Sequence, residues 1–145
     1  SITMTERVLL VDDEEEYLEI MSERMRARDI EVTTSTSARE ALDMIATESY
    51  DAVIMDFMMP EMNGIEALKV IKEKNPEMQI ILLTGHATVE KTVEAMKAGA
   101  MDLIEKPADL DALSEKIKNA HNQKALLVAK KDQDRVIDML KKFGM

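Results

Sequence analysis

Apolar residues fall in two alternating rhythms along this chain. Short unbroken runs, Val8-Leu9-Leu10-Val11, Ala52-Val53-Ile54-Met55, Ile80-Ile81-Leu82-Leu83 and Leu103-Ile104, are separated by longer stretches in which apolar residues recur at three- and four-residue spacing. The runs have the length of buried strands and the longer stretches the period of helices. Strands are therefore expected at Arg7–Val11, Ala52–Asp56, Gln79–Thr84 and Asp102–Glu105, with a weaker one at 31–34. A helix is expected at 15–28, with Leu18, Met21 and Met25 on one face. Ser37-Ala38-Arg39-Glu40 fits a capping box, in which the Ser hydroxyl serves an orphan N–H of a helix burying Ala41, Leu42 and Ile45. After the turn-like Met59-Pro60-Glu61-Met62-Asn63-Gly64, a helix from about Ile65 must stop near Asn75-Pro76. Another spans 88–98, with Gly99 placed for a left-handed cap, and Asp109 can cap the last one, whose face carries Leu110, Leu113 and Ile117.

Strands alternating with helices imply parallel pairing through right-handed crossovers. The expected fold is α/β: a doubly wound, five-stranded parallel sheet, a (βα)5 flavodoxin-like three-layer sandwich. That unit covers 5–121, and 122–145 forms a C-terminal helical extension with Leu127, Val128, Val136, Ile137 and Leu140 as its apolar positions. The bland expectation for the extension is a loosely packed tail or linker; the sharper one is a dimerisation or output helix.

A length of 145 residues suits one domain with a single core. The absence of cysteine excludes disulfides and thiolate metal sites. The apolar runs are too short to span a bilayer, and Ser1-Ile2-Thr3-Met4 lacks a basic-then-apolar leader, with Met4 a candidate native start. A soluble, cytoplasmic protein without membrane contact is expected. The net charge of -10 argues against direct nucleic-acid binding, which needs clustered Lys and Arg. Thirteen methionines and few aromatics point to an adaptable core.

The polar residue that closes each run carries the chemistry. Asp12-Asp13 closes the first, Asp56 the second, Thr84 the third, and Lys106 stands just past the last. Ligands of open α/β sheets bind at the carboxyl ends of the strands, so these groups describe one site. Like charges about 4 Å apart repel by roughly 1 kcal/mol in water and about 4 kcal/mol at an effective dielectric near 20. Three adjacent carboxylates must therefore take up protons or recruit a cation. Mg²⁺ suits them, because it uses one or two carboxylates and keeps positions for water and phosphate oxygens. With the Lys106 ammonium and the Thr84 hydroxyl beside it, the set suits phosphoryl transfer to a nucleophilic carboxylate, for which Asp56 is the best candidate.

The chain resembles the receiver domain of two-component response regulators. The matching stretches are Val8-Leu-Leu-Val-Asp-Asp13, Val53-Ile-Met-Asp56-Phe-Met-Met-Pro-Glu-Met-Asn-Gly64, Leu83-Thr84-Gly-His86 and Glu105-Lys106-Pro107, and the likeness runs from about Arg7 to His121. The resemblance implies that Asp56 accepts a phosphoryl group from the phosphohistidine of a sensor histidine kinase or phosphotransfer protein. It implies that Asp13, Asp56 and the backbone carbonyl of Met58 bind Mg²⁺ directly, with Asp12 acting mainly through water. Thr84 and Lys106 would hold the phosphoryl oxygens, and the domain would assist its own phosphorylation and dephosphorylation. A cis peptide at Lys106-Pro107 is implied as well. So is a homodimer through the face of the fourth helix, fifth strand and fifth helix, or through the tail. The stretch from Thr84 to Gly99 resembles receivers of nitrogen-regulator-type transcription activators.

Leu103 stands where similar proteins commonly carry Tyr or Phe. Met58 and His86 occupy positions that tune dephosphorylation in the family; a bulky Met58 is expected to shield an acyl phosphate from water, and His86 to be an exposed loop residue. Competing functions fit less well. A haloacid-dehalogenase-type phosphatase needs a second Asp two residues after the nucleophile, where this chain has Met58, and an acidic pair after the lysine rather than before it. A nucleotide binder needs a phosphate-cradling loop after the first strand, where this chain has Asp13-Glu14-Glu15-Glu16. A receiver-like module that binds partners without phosphorylation remains as the alternative.

Overall fold

A computed structural model describes residues 5–144, so the Met4 start lies outside the described residues. Every expected strand forms: β1 (Arg7–Val11), β2 (Glu31–Ser35), β3 (Ala52–Asp56), β4 (Gln79–Thr84) and β5 (Asp102–Glu105). They alternate with α1 (Glu15–Arg26), α2 (Ala38–Thr47), α3 (Gly64–Lys74), α4 (Val89–Ala98) and α5 (Leu110–Lys142). All pairings are parallel, in the order β2-β1-β3-β4-β5. The chain winds outward from β1 to β2 and then returns to build the other half from β3. The β1/β3 junction is thus the topological switch point, where open α/β sheets bind ligands.

The sheet is covered on both faces, which is why its central strands are apolar throughout. One face packs Leu9, Val11, Val53, Met55, Ile80 and Leu82 against α2, α3 and α4. The other packs Val8, Leu10, Ile54, Ile81 and Leu83 against Leu18, Met21 and Met25 of α1 and Leu110, Leu113 and Ile117 of α5. Side-chain caps start four helices: Ser37 Oγ accepts from Glu40 N, Asn63 Oδ1 from Glu66 N, Thr88 Oγ1 from Lys91 N, and Asp109 Oδ1 from Asp111 N. Gly99 takes the left-handed conformation at the end of α4 (φ 104°), as its position predicted.

Two expectations need correction in detail. The first helix ends at Arg26, not 28, because Asp29 adopts a left-handed φ of 61° and Ile30 N turns back to Met25 O. On α2 the fully buried residues are Ala38 and Ala41, while Leu42 and Ile45 are only partly covered. The expected C-terminal extension is helical and continuous with the last helix: α5 runs for 33 residues, about 50 Å. Beyond His121 it is tied down by lysines rather than by an apolar face. Lys124 Nζ donates to Ser49 Oγ (2.6 Å) and Tyr50 O (2.8 Å), and Lys131 pairs with Glu77. Leu127, Val128, Val136, Ile137 and Leu140 are exposed. No helix among the described residues is long and apolar enough to cross a membrane.

Candidate functional site

Strand register brings the polar closing residues together. Val11 is level with Met55 and Thr84 with Glu105, so Asp12 emerges beside Asp56, and Lys106 follows directly after Thr84's partner. Backbone bonds fix the edge: Phe57 N donates to Leu83 O (2.7 Å) and Lys106 N to Thr84 O (2.7 Å). The loop after β3 is drawn in by Gly64, whose N–H donates to Phe57 O (2.7 Å). A Cβ at Gly64 would lie 3.0 Å from both Asp56 O and Phe57 Cα, so only glycine lets α3 start against the strand end. The Lys106-Pro107 peptide is cis, as the resemblance implied.

Asp12, Asp13 and Asp56 each offer a carboxylate oxygen within 4.8 Å of the other two. Their settings differ. Asp12 is buried and both its oxygens are engaged: Oδ1 accepts from Glu14 N (2.8 Å) and Oδ2 from Lys106 Nζ (2.8 Å). Asp56 is 9% exposed and its contacts are long, 3.4 Å from Met58 N to Oδ1 and 3.5 Å from Lys106 Nζ to Oδ2. Asp13 is exposed at the rim. Burial pushes the Asp56 carboxyl above its ordinary range, Lys106 opposes that rise, and the Asp12 charge adds to it. Burial pulls the Lys106 ammonium down, but its hydrogen bond to Asp12 and the two carboxylate charges outweigh that and hold the group above its usual value.

Three carboxylates facing one ammonium leave the pocket with an excess of negative charge, and hard oxygen donors are what Mg²⁺ takes. The donor set fits that ion: Asp13 and Asp56 have oxygens not committed to close protein contacts, whereas Asp12 has none free. Thr84 is buried, and its Oγ1 exchanges bonds with the backbone of His86, donating to its carbonyl and accepting from its N–H, both at 3.3 Å. His86 is exposed, as expected, and the Met58 side chain is 66% exposed. Leu103, on β5 beside Leu82, is buried in the core on the face covered by α2, α3 and α4.

Sequence reasoning missed Tyr17 and Lys91. The Lys106 ammonium lies 4.3 Å from the centroid of the Tyr17 ring. Burial raises the Tyr17 hydroxyl's pKa, an effect only partly offset by Lys106. The signal available was an aromatic in the first turn after the acidic pair. Lys91 of α4 donates to His86 O (2.7 Å) and lies over the Phe57 ring at 5.5 Å. Nothing in its spacing sets it apart from other helix lysines.

The family described as "Response regulator receiver domain" matches residues 8–118, most of the chain. This chain belongs to the response-regulator receiver family. The regulatory protein AtoC of Escherichia coli K12 is 39% identical over 113 residues, 78% of this chain but 24% of its own length. The receiver thus spans about a quarter of the curated relatives it matches. A crystal structure of a response regulator receiver domain protein from Clostridium thermocellum superposes with a TM-score of 0.79 at 36% identity, covering 84% of this receiver and 98% of that chain. The solution structure of the beryllofluoride-activated NtrC4 receiver domain dimer gives a TM-score of 0.76 at 32% identity, covering 81% and 98%. Among the described residues the receiver holds the acidic cluster, buried threonine and lysine at one sheet edge.

Proposed function

We propose that this receiver is a phosphorylation-dependent signalling switch, with Asp56 as the phosphoacceptor. The single observation that carries the reading is Asp56 itself: a carboxylate almost out of water at the sheet's switch point, with only long contacts, beside two further carboxylates and a lysine. A donor phosphohistidine on a sensor kinase or phosphotransfer protein would present phosphorus to an Asp56 oxygen. The O–P bond forms as the P–N bond breaks, and the imidazole leaves with the electron pair and takes up a proton. Asp13, Asp56 and the Met58 carbonyl would hold Mg²⁺, whose contribution when bound is to offset charge on the transferring oxygens. Lys106 supplies the fixed positive charge, and Thr84 a hydroxyl that can donate to a phosphoryl oxygen.

Switching would follow from the Thr84 bonds. Phosphorylation adds about -1.5 to -2 charges at the strand end. If Thr84 turns to meet it, its bonds to His86 are lost, while Lys91 on α4 still holds the His86 carbonyl. The loop's movement is therefore handed to α4 without an aromatic at position 103. α4 presents Val89, Val93 and Met96 to solvent, a face suited to a second copy, and the tail offers another. Couplings of about 1–3 kcal/mol suffice to bias such a dimer by about one to two orders of magnitude. Where a longer protein carries this receiver, the output it would control is transcriptional, as the name of the transcriptional regulatory protein ZraR of Escherichia coli K12, 36% identical over 113 residues, indicates for that relative.

Titration with Mg²⁺ and then beryllofluoride, followed by amide NMR and sedimentation, tests the reading. Saturable shifts at Asp13, Asp56, Thr84 and Lys106 with a change in α4 are expected. Unchanged spectra and oligomeric state would favour a protein-binding module that works without phosphorylation.

A further inference from the structure

Tyr17 belongs to none of the strand-end motifs, yet its ring lies against the lysine of the acidic pocket. It sits in the first turn of α1, partly buried against the core layer that includes Leu10, Leu18 and Leu83. Its hydroxyl is buried with no hydrogen-bond partner among the described residues. Its ring face lies 4.3 Å from Lys106 Nζ. The ammonium has three N–H groups, and its neighbours are Asp12 Oδ2 at 2.8 Å, Asp56 Oδ2 at 3.5 Å and this ring.

These neighbours make different demands. A carboxylate holds an ammonium through a short, directed bond. An aromatic face attracts the same cation through its quadrupole, with little directional requirement. In the unmodified protein Lys106 is drawn to Asp12. To serve a phosphoryl group on Asp56 it must loosen that bond and shift, and a flexible side chain that loosens its bond is otherwise free to leave for water. A ring lying against the ammonium can hold it through such a shift.

We propose that Tyr17 is a positioning residue: its ring, rather than its hydroxyl, keeps the Lys106 ammonium inside the acidic pocket as it passes from Asp12 to the phosphoryl group on Asp56. The inference rests on the phosphoacceptor reading. It requires that phenylalanine replace Tyr17 without loss and that leucine, apolar but without a π face, not do so.

The test compares the wild type, Tyr17→Phe and Tyr17→Leu in two measurements. Proton NMR of the Lys106 Cε methylene reports the ring directly: an upfield ring-current shift is expected in the wild type and Tyr17→Phe and not in Tyr17→Leu. The rate of labelling by acetyl phosphate with Mg²⁺ is expected to fall about 3- to 10-fold in Tyr17→Leu, the scale of one partly desolvated cation–π contact, and to recover in Tyr17→Phe. Absence of the ring-current shift from the wild type would overturn the contact. A shift that behaves as expected, with Tyr17→Leu labelling at the wild-type rate, would overturn the positioning role. A loss in Tyr17→Phe equal to that in Tyr17→Leu would assign the work to the hydroxyl and overturn the proposal. If the shift behaves as expected but no protein takes label, including the wild type, the phosphoacceptor reading fails and the positioning role falls with it.

Discussion

The two ends of the sheet treat a carboxylate in opposite ways. At the amino end, Asp51 stands just before β3 with both oxygens satisfied: Oδ2 accepts from Arg7 N (2.8 Å) and Oδ1 pairs with His121 Nδ1 (2.8 Å). At the carboxyl end of the same strand, Asp56 is equally withdrawn from water but has only long contacts, and two more carboxylates crowd it. The first arrangement ties α5 to the sheet. The second leaves charge unbalanced in a place with little water to screen it, which costs stability and creates demand for a cation and a reaction partner. Same residue type, same strand, five positions apart: what separates structure from chemistry is whether the lone pairs are already spoken for.

Substitution can break that contrast, and the largest effect belongs to Asp56. Asp56→Asn is expected to abolish labelling by a small phosphodonor while circular dichroism stays native; persistent labelling would move the acceptor elsewhere. Next comes the cation. Asp13→Asn should weaken Mg²⁺ binding, read by calorimetry, by at least about 10-fold, the lower end of what even outer partners of a metal site contribute. At the opposite end, Asp51→Asn should lower unfolding stability by about 1–3 kcal/mol in denaturant melts, since it disturbs a carboxylate that serves a backbone N–H and His121 together. It should leave labelling and Mg²⁺ affinity near wild type. A reversal of these last two phenotypes would erase the distinction between the ends.

The smallest expected effect is on pH dependence. Asp56 holds its proton more tightly folded than unfolded, because burial raises its carboxyl. Between the unfolded and folded values the native state binds more protons, so stability attributable to this group falls as pH rises through that window and stays lowered above it. Without divalent ions, Asp56→Asn should therefore melt slightly higher than wild type at neutral pH. The difference should shrink on acidification to below the ordinary carboxylate range, and Mg²⁺ should narrow it by stabilising the wild type alone.

Much of this was legible because a buried parallel strand writes itself plainly. Its core permits only apolar residues, so the first polar residue marks the edge, and Asp12, Asp56 and Thr84 could be placed before any coordinate was known. Parallel topology then put those edges side by side. What could not be read depended on surroundings rather than pattern. Asp29 ends α1 early through a left-handed backbone that its residue type tolerates but does not announce. Leu42 and Ile45 have the right spacing for burial, yet on α2 they are only partly covered by the core. Tyr17 looked like one more partly apolar helix residue, because its significance comes from Lys106, 89 positions later in the chain. The helical extension past His121 was legible, but what holds it was not, since its lysines reach loops at the amino end of the sheet.

The most direct measurement is to trap the product. The receiver is treated with acetyl phosphate with and without Mg²⁺, reduced with borohydride to capture aspartyl phosphate, and digested for peptide mass mapping. One modified position is expected, Asp56, appearing only when the divalent ion is present. Modification spread over other carboxylates, or equal at Asp56 without the ion, would contradict the claim that these strand-end residues form a single cation-dependent acceptor site.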